Sequence, residues 1–225
     1  KVNQNYILGS AFHTFVLEPH LFADEYFIAP QKVLLKDVGR TTYDAYKDAL
    51  ELVEKTKKKI ITFEDFENLL RMQEALLTNE KAKELIRDGI YERSYFWEDS
   101  GSKLIVKARP DIIHRNMYVD LKTVSDASPR AYQREMALFG YHTQGAIVRD
   151  AIRNLEGREC SNVINVCVEK TYPYSVGIYI IDEAALDIAE TEYKELLQNL
   201  KYCIVNNEFP GYQIETIGLP RWAIK

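Results

Sequence analysis

The stretch from Lys107 to Val124 constrains the fold more than any other, because polar and apolar positions alternate there with the period of a β-strand on both sides of a short turn. A hairpin over Asp111–Val124 that turns at Arg115-Asn116 pairs His114 with Met117, Ile113 with Tyr118, Ile112 with Val119 and Asp111 with Asp120. In this register Arg109, Asp111, Asp120 and Lys122 share one face, while Ile112, Val119 and Leu121 share the other, the expected core side. A slip of one residue would send both aspartates to the core face. Directly opposed residues have Cβ atoms about 4.5–5.5 Å apart, a spacing at which two carboxylates repel. Either one is protonated or a cation lies between them. Oxygen ligands suit a hard divalent ion, Mg²⁺ or Mn²⁺. Lys122 stands beside the pair, where an ammonium can orient a water or stabilise charge on a phosphoryl group. Two acids, an ion and a lysine form a workable set for phosphodiester hydrolysis. By spacing alone, the same charges also suit a solvated surface hairpin.

Elsewhere the periodicity is mostly helical. Tyr6–Leu17 places Tyr6, Ala11, Phe12, Phe15 and Val16 on one helix face. Leu17–Pro30, with two prolines, reads as a loop. Thr41–Lys59 reads as a helix with a buried stripe of Tyr43, Tyr46, Leu50 and Val53, and Lys57-Lys58-Lys59 as its solvated end, a phosphate contact being the alternative. Thr62 caps a helix to Leu77, with Asp65 completing a capping box, and Lys81–Asp88 forms another, stopped by Gly89. Ile90–Trp97 and Lys103–Arg109 read as strands around a turn at Asp99-Ser100-Gly101. Ser128-Pro129 opens a long helix to Leu155, followed by strands Val163–Val168 and Val176–Ile181 and a final helix Ala184–Asn206. This order predicts an α/β (α+β) fold, a central mixed β-sheet flanked by helices. One domain over 1–225 is expected, with a helical insertion at about 41–88.

A chain of 225 residues buries about 70% of its unfolded surface and needs no disulfide scaffold. Cys160, Cys167 and Cys203 are an odd number without metal-ligand spacing, which excludes a four-cysteine cluster and fits a reduced, cytoplasmic protein. No apolar run reaches the roughly 18 residues of a membrane span, and no secretory leader opens the sequence. The net charge of −5 argues against a protein that coats nucleic acid, yet Lys107–Arg134 holds six basic residues against three acidic ones. A local basic groove is therefore expected, with salt-dependent binding.

Arg109-Pro110-Asp111 and Asp120-Leu121-Lys122-Thr123 resemble the core motif of the PD-(D/E)XK nuclease superfamily. More narrowly, several blocks resemble the exonuclease VIII (RecE-type) group of phage recombination exonucleases. These are Leu8–His13 with Val16–Pro19, Lys107–Asp111, Val119–Thr123, Gly140–Gln144, Glu169–Lys170 with Pro173–Tyr174, and Phe209–Tyr212 with Leu219–Trp222. The resemblance implies a restriction-endonuclease-like core and a Mg²⁺-dependent (or Mn²⁺-dependent) hydrolase acting on double-stranded DNA ends with 5′-to-3′ polarity, in DNA recombination. It implies metal binding by His13, Asp111 and Asp120, and service of the attacking water by Lys122. It further implies a ring-like homo-oligomer and a single-strand annealing protein as partner.

Taken without the resemblance, His13 also suits a structural histidine among Phe12, Phe15 and Val16. Gln144, one turn beyond Tyr141, either faces solvent or hydrogen-bonds to a phosphate or to an ion's water shell. Related nucleases often carry a tyrosine four residues after this glutamine, and here that residue is Val148. Arg109 is expected to bridge Asp111, contact with a DNA phosphate being the alternative, and Glu92 to reach a second metal position from the neighbouring strand. Tyr172 and Tyr174 are expected to pack in the core or at its rim. Two alternatives stand beside the exonuclease: a nuclease-fold DNA-binding module without catalysis, and an endonuclease of the same superfamily.

Overall fold

The structure, a computed structural model, describes residues 4–29, 44, 47–48, 51 and 55–220. The chain opens with α1 (Gln4–Leu17), α2 (Pro19–Glu25) and β1 (Tyr26–Ile28), and continues through β2 (Lys59–Ile61), α3 (Phe63–Thr78) and α4 (Glu80–Ile86). Next come β3 (Ile90–Tyr91), β4 (Tyr95–Glu98), β5 (Ile105–Ala108), β6 (Ile112–Ile113) and β7 (Met117–Val124). Helices α5 (Pro129–Phe139) and α6 (Tyr141–Glu156) lead to β8 (Asn162–Glu169), β9 (Val176–Ile180) and α7 (Glu183–Asn206). The main sheet has the order β3-β6-β7-β8-β9. Strands β7 and β8 run parallel and the other neighbours antiparallel, so the sheet is mixed as expected. Two helices, α5 and α6, span the crossover that a parallel β7–β8 pair requires.

The hairpin register is the one the alternation dictates: Ile112 faces Val119 and Ile113 faces Tyr118, and the turn closes with the His114 N–H donating to the Met117 carbonyl at 2.9 Å. Both sheet faces are covered. On one, Leu8 and Phe12 of α1 and Leu69, Met72 and Leu76 of α3 pack with Ile112, Val119, Leu121, Val166 and Val168. On the other, Val148, Ala151 and Ile152 of α6 pack with Ile113, Tyr118 and Val163, and with Tyr95 and Trp97 of the β4–β5 ribbon. The charged side of the hairpin is therefore also interior, with Asp111 7% and Asp120 2% exposed. Reading one face as core and the other as open misses the helix that roofs the second face.

Several local readings are corrected. Leu17–Pro30 is not a loop: Pro19 sits in the first turn of α2, where its missing N–H costs nothing, and Tyr26–Ile28 pairs in parallel with Lys59–Ile61. That pairing also takes Lys59 out of the expected helix end and into a strand. The strand expected over Ile90–Trp97 is broken at Glu92, whose φ of 49° lies in the left-handed region, so β3 joins the main sheet while β4 pairs with β5. The helix expected from Pro129 to Leu155 is two helices, because Gly140 (φ 67°) ends α5 in the left-handed cap that glycine favours. The capping box of α3 is as read: Asp65 N–H donates to Thr62 Oγ1 at 3.0 Å and the Asp65 carboxylate accepts from the Thr62 N–H. Of Thr41–Lys59, Asp44, Lys47, Asp48, Glu51, Lys55 and Thr56 are helical, and the stripe of Tyr43, Tyr46, Leu50 and Val53 lies outside the described residues, as does Trp222. Tyr174 is buried and donates to Asn68 Oδ1 at 2.9 Å, whereas Tyr172 is exposed. Cys160, Cys167 and Cys203 are unpaired. Among the described residues, no helix is long and apolar enough to cross a membrane.

Candidate active site

Four elements deliver charged side chains to one cleft of roughly 600 Å³, lined among others by His13, Glu18, Glu92, Arg109, Asp111, Lys122 and Tyr141. Helix α1 brings His13 in closely because Gly9, one turn earlier, has no side chain: a Cβ there would stand 3.2 Å from Thr123 Oγ1 on β7. The left-handed backbone at Glu92 ends β3 and turns its side chain into the cleft, while its N–H donates to the Asp111 carbonyl at 3.0 Å. Such a conformation in a non-glycine residue costs of order 1–3 kcal/mol and persists only where the surroundings hold it. Asp111 follows Pro110 at the entry to β6 and accepts from the Leu121 N–H at 2.8 Å, which fixes its carboxylate against β7.

The acids fall into two linked groups. In the first, donor atoms of His13, Glu92 and Asp111 all lie within 4.8 Å of one another, with His13 Nδ1 3.4 Å from Asp111 Oδ2. In the second, Asp120 is held by Lys122 Nζ at 2.5 Å, by Tyr118 Oη at 2.5 Å and by Gln144 Nε2 at 3.0 Å. Gln144 Oε1 accepts from Lys122 Nζ at 2.9 Å, and that ammonium lies 4.6 Å from the centre of the Tyr141 ring. Gln144 is thus inside the site rather than on a solvent face, although the residue four positions later, Val148, is a core side chain. Arg109 does not pair with Asp111. It reaches past it to Glu92 at 2.7 Å and Glu18 at 3.1 Å, because Asp111 is already enclosed by His13 and the Leu121 amide.

Burial and mutual charge set the protonation of the site. Burial pushes Asp111 up, but His13, Lys122 and the Leu121 N–H outweigh it and hold this carboxyl below the usual range. Asp120 moves the other way: burial raises it, and the Asp111 charge adds to that against the pull of Lys122. Glu92 is pushed up to about 7, first by burial and then by Asp111. Burial would lower Lys122, yet Asp120 and Asp111 together raise it, so the amine stays charged. Burial would likewise lower His13, and Asp111 raises it instead.

An imidazole and two carboxylates are a fitting donor set for Mn²⁺ or Mg²⁺. Ligands about 2.1 Å from one ion stand about 3–4.2 Å apart, so donors already within 4.8 Å need only small side-chain rotations to close.

The chain matches, over residues 1–219, the family described as a PDDEXK-like domain of unknown function (DUF3799). It belongs to that family. The crystal structure of a "Putative exonuclease" from Eubacterium rectale is similar in fold, with a TM-score of 0.58, 13% identity, and coverage of 96% of this chain and 78% of that chain. The crystal structure of SSO0001 is 18% identical over 89% of this chain and 95% of that chain, at a TM-score of 0.33. No curated protein matches the sequence. The PD-(D/E)XK assignment read from the hairpin therefore stands at the level of the superfamily.

Sequence reasoning about this PDDEXK-like chain missed Glu18 and Glu25, which line the same cleft, and placed Lys59, which also lines it, on a helix end. Lys59 Nζ lies 3.6 Å from Glu25 Oε2 and 3.3 Å from Tyr26 Oη. The β1–β2 pairing that creates this group joins segments some thirty residues apart, and no short-range pattern announces it. Tyr118 was read only as a paired strand residue, although its hydroxyl steadies Asp120.

Proposed function

We propose that this chain is a metal-dependent DNA exonuclease that hydrolyses phosphodiester bonds at duplex ends. The observation that carries this reading is the convergence of His13, Glu92 and Asp111 beside the Asp120–Lys122–Gln144 group at one cleft. His13, Glu92 and Asp111 would hold a divalent ion, with Asp120 as the adjoining carboxylate, as the RecE-type resemblance implies for His13, Asp111 and Asp120. When bound, such an ion neutralises the acids, polarises a phosphoryl oxygen and acidifies a water. The remaining work belongs to the protein. Lys122 is held charged, so it donates hydrogen bonds to a phosphoryl oxygen or an attacking water and does not act as a base. Asp120 and Gln144 fix the direction of that ammonium, and Tyr141 covers it from the side. Asp111, kept ionised, anchors His13 and the β7 backbone together.

Mg²⁺ as the ion, 5′-to-3′ polarity, a role in DNA recombination, a ring-like homo-oligomer and a single-strand annealing partner are further parts of this proposal, supported by the block-wise likeness to the RecE-type group. The test is digestion of end-labelled linear duplex with Mg²⁺, Mn²⁺ or EDTA, beside closed circular DNA. Cleavage of the linear form alone, dependent on the ion, releasing a 5′ label first and lost in Asp120→Ala and Lys122→Ala, is the expected result. Undiminished cleavage in either variant, or in EDTA, refutes the assignment, and cutting of closed circles makes the enzyme an endonuclease.

A further inference from the structure

A second recess lies beside the cleft. It is formed by Lys107 and Arg109 at the end of β5 and by Phe139, Gln144, Ile147 and Val148 at the α5–α6 corner, among others, and it holds about 490 Å³. That volume is within the ~300–1,000 Å³ usual for pockets that take one small-molecule-sized group. Two residues tie it to the cleft: Arg109 lines both, and Gln144 lines the recess while its amide holds Asp120 and Lys122.

Phe139 is 62% exposed, an unusual place for an aromatic ring at a helix end. The left-handed turn at Gly140 sets it there, immediately before Tyr141. The Phe139 and Tyr141 rings stack with centroids 5.8 Å apart and planes 28° from parallel, and Tyr141 in turn covers the Lys122 ammonium. A continuous aromatic step therefore leads from the charged centre to the recess. Lys107, exposed and with no ion-pair partner among the described residues, also lines the recess. An exposed ring and a cation lining one recess are the groups with which proteins hold single-stranded nucleic acid, the ring taking a base and the cation a phosphate.

We infer that this recess binds one unpaired nucleotide of the DNA strand next to the phosphate in the cleft, with its base stacked on Phe139 and its phosphate at Lys107. The inference rests on the nuclease reading and narrows its substrate to ends that carry, or fray into, a single-stranded overhang.

The test is fluorescence titration of the full chain, in EDTA so that the oligonucleotide stays intact, with a duplex bearing 2-aminopurine in a three-nucleotide overhang and with the blunt duplex. The expected result is a saturable change in 2-aminopurine emission and tighter binding of the overhang. Phe139→Ala weakens overhang binding about ten-fold and barely affects the blunt duplex, Phe139→Trp restores it, and Lys107→Gln lowers the salt dependence by about one phosphate contact. Because Phe139 is largely exposed, its removal leaves the core intact, and an unchanged melting curve confirms this. Overhang affinity within two-fold of wild type in both Phe139→Ala and Lys107→Gln overturns the inference. Metal-dependent cleavage by the wild type is scored separately. Cleavage without any effect of Phe139 sinks the recess and leaves the nuclease reading standing, whereas Phe139-dependent binding without cleavage sinks the nuclease reading and leaves the recess as a DNA site.

Discussion

Replacing Lys122 by methionine separates the structural from the chemical role of the site. Methionine keeps the length of the stem but removes the ammonium that sits 2.5 Å from Asp120 Oδ2 and 2.9 Å from Gln144 Oε1. Asp120, 2% exposed, would then keep only Tyr118 and Gln144 as donors while still facing the Asp111 charge. Breaking a buried pair by removing one partner costs about 3–5 kcal/mol, because an uncompensated charge remains. For a domain of this size, about 2–4 °C of Tm per kcal/mol turns that into a fall of about 6–20 °C. The Asp120 carboxyl is already raised by burial and by Asp111, and it rises further once Lys122 is gone. An acid whose folded pKa exceeds its unfolded one is fully destabilising above the folded value, and the penalty is lost as pH falls through the folded value to the unfolded one. The loss is therefore at least as large at pH 8 as at pH 5. Thermal denaturation of Lys122→Met, Asp120→Asn and the double variant at both pH values is the assay. The double variant should be more stable than the sum of the singles by about 2 kcal/mol. Additivity within about 0.5 kcal/mol would show that the two residues do not interact, and would refute the electrostatic account of the site. If stability falls as expected while metal-dependent cleavage persists, Lys122 is structural only.

The remaining predictions concern other parts of the molecule. Lys194 Nζ lies 2.5 Å from Asp99 Oδ1 and 2.7 Å from Asp150 Oδ2; burial opposes ionisation of Asp99, but Lys194 and Ser102 hold its carboxyl at about 2. This lowered acid contributes about 2 kcal/mol above pH 4 that is lost as pH falls from about 4 to about 2, and a Tm–pH curve of Lys194→Met should show that limb weakened, with the Ser102 bonds retaining part of it. At Gly145, a Cβ would stand 2.8 Å from Val163 Cγ1 and 3.2 Å from Leu186 Cδ2, so Gly145→Val should destabilise by about 1–3 kcal/mol in chemical denaturation through overpacking of α6 against β8 and α7. Mn²⁺ should raise the wild-type Tm, by an amount equivalent to about 2.7 kcal/mol at a hundred times its Kd. Glu92→Gln should need markedly more Mn²⁺ for the same shift, and an unchanged titration would remove Glu92 from the ligand set.

The hairpin was legible because its two constraints agree: alternation of apolar residues and the need to keep Asp111 and Asp120 on one face leave a single register. The α3 start was legible for a similar reason, Thr62 and Asp65 satisfying each other's backbone donors locally. What was not legible depends on partners remote in sequence. Arg109 looked like a partner for the acid two residues away, but its guanidinium meets Glu18, 91 residues distant, once α1 is packed on the sheet. The bend at Glu92 lies in a run rich in strand-forming residues, and only the division of β3 and β4 between two sheets demands it. Gly140 could have signalled the break between α5 and α6, since glycine at a helix end is the commonest left-handed cap. The helix formers on both sides of it masked that signal.

The same misplaced arginine makes the site's response to an ion testable. Among the described residues, Glu92 is paired with a cation only through Arg109, at 2.7 Å, and that arginine is 54% exposed. An ion held by His13, Glu92 and Asp111 must share or take the Glu92 carboxylate that Arg109 now occupies, so ion binding works against the Arg109–Glu92 contact. A guanidinium loosened from Glu92 at the boundary of cleft and recess is well placed to meet a DNA phosphate, to which it can offer two parallel hydrogen bonds. Arg109→Gln should therefore have effects of opposite sign: Mn²⁺ binds more tightly, about two- to ten-fold, because a competitor for Glu92 is gone, while DNA binds more weakly in the presence of the ion because a phosphate contact is lost. Isothermal titration of Mn²⁺ and a binding curve for duplex DNA in the Asp120→Ala background, expected not to cleave, measure the two separately. If Mn²⁺ affinity instead falls in Arg109→Gln, the arginine is a support of the ion site rather than a rival for its ligand, and the exchange does not occur.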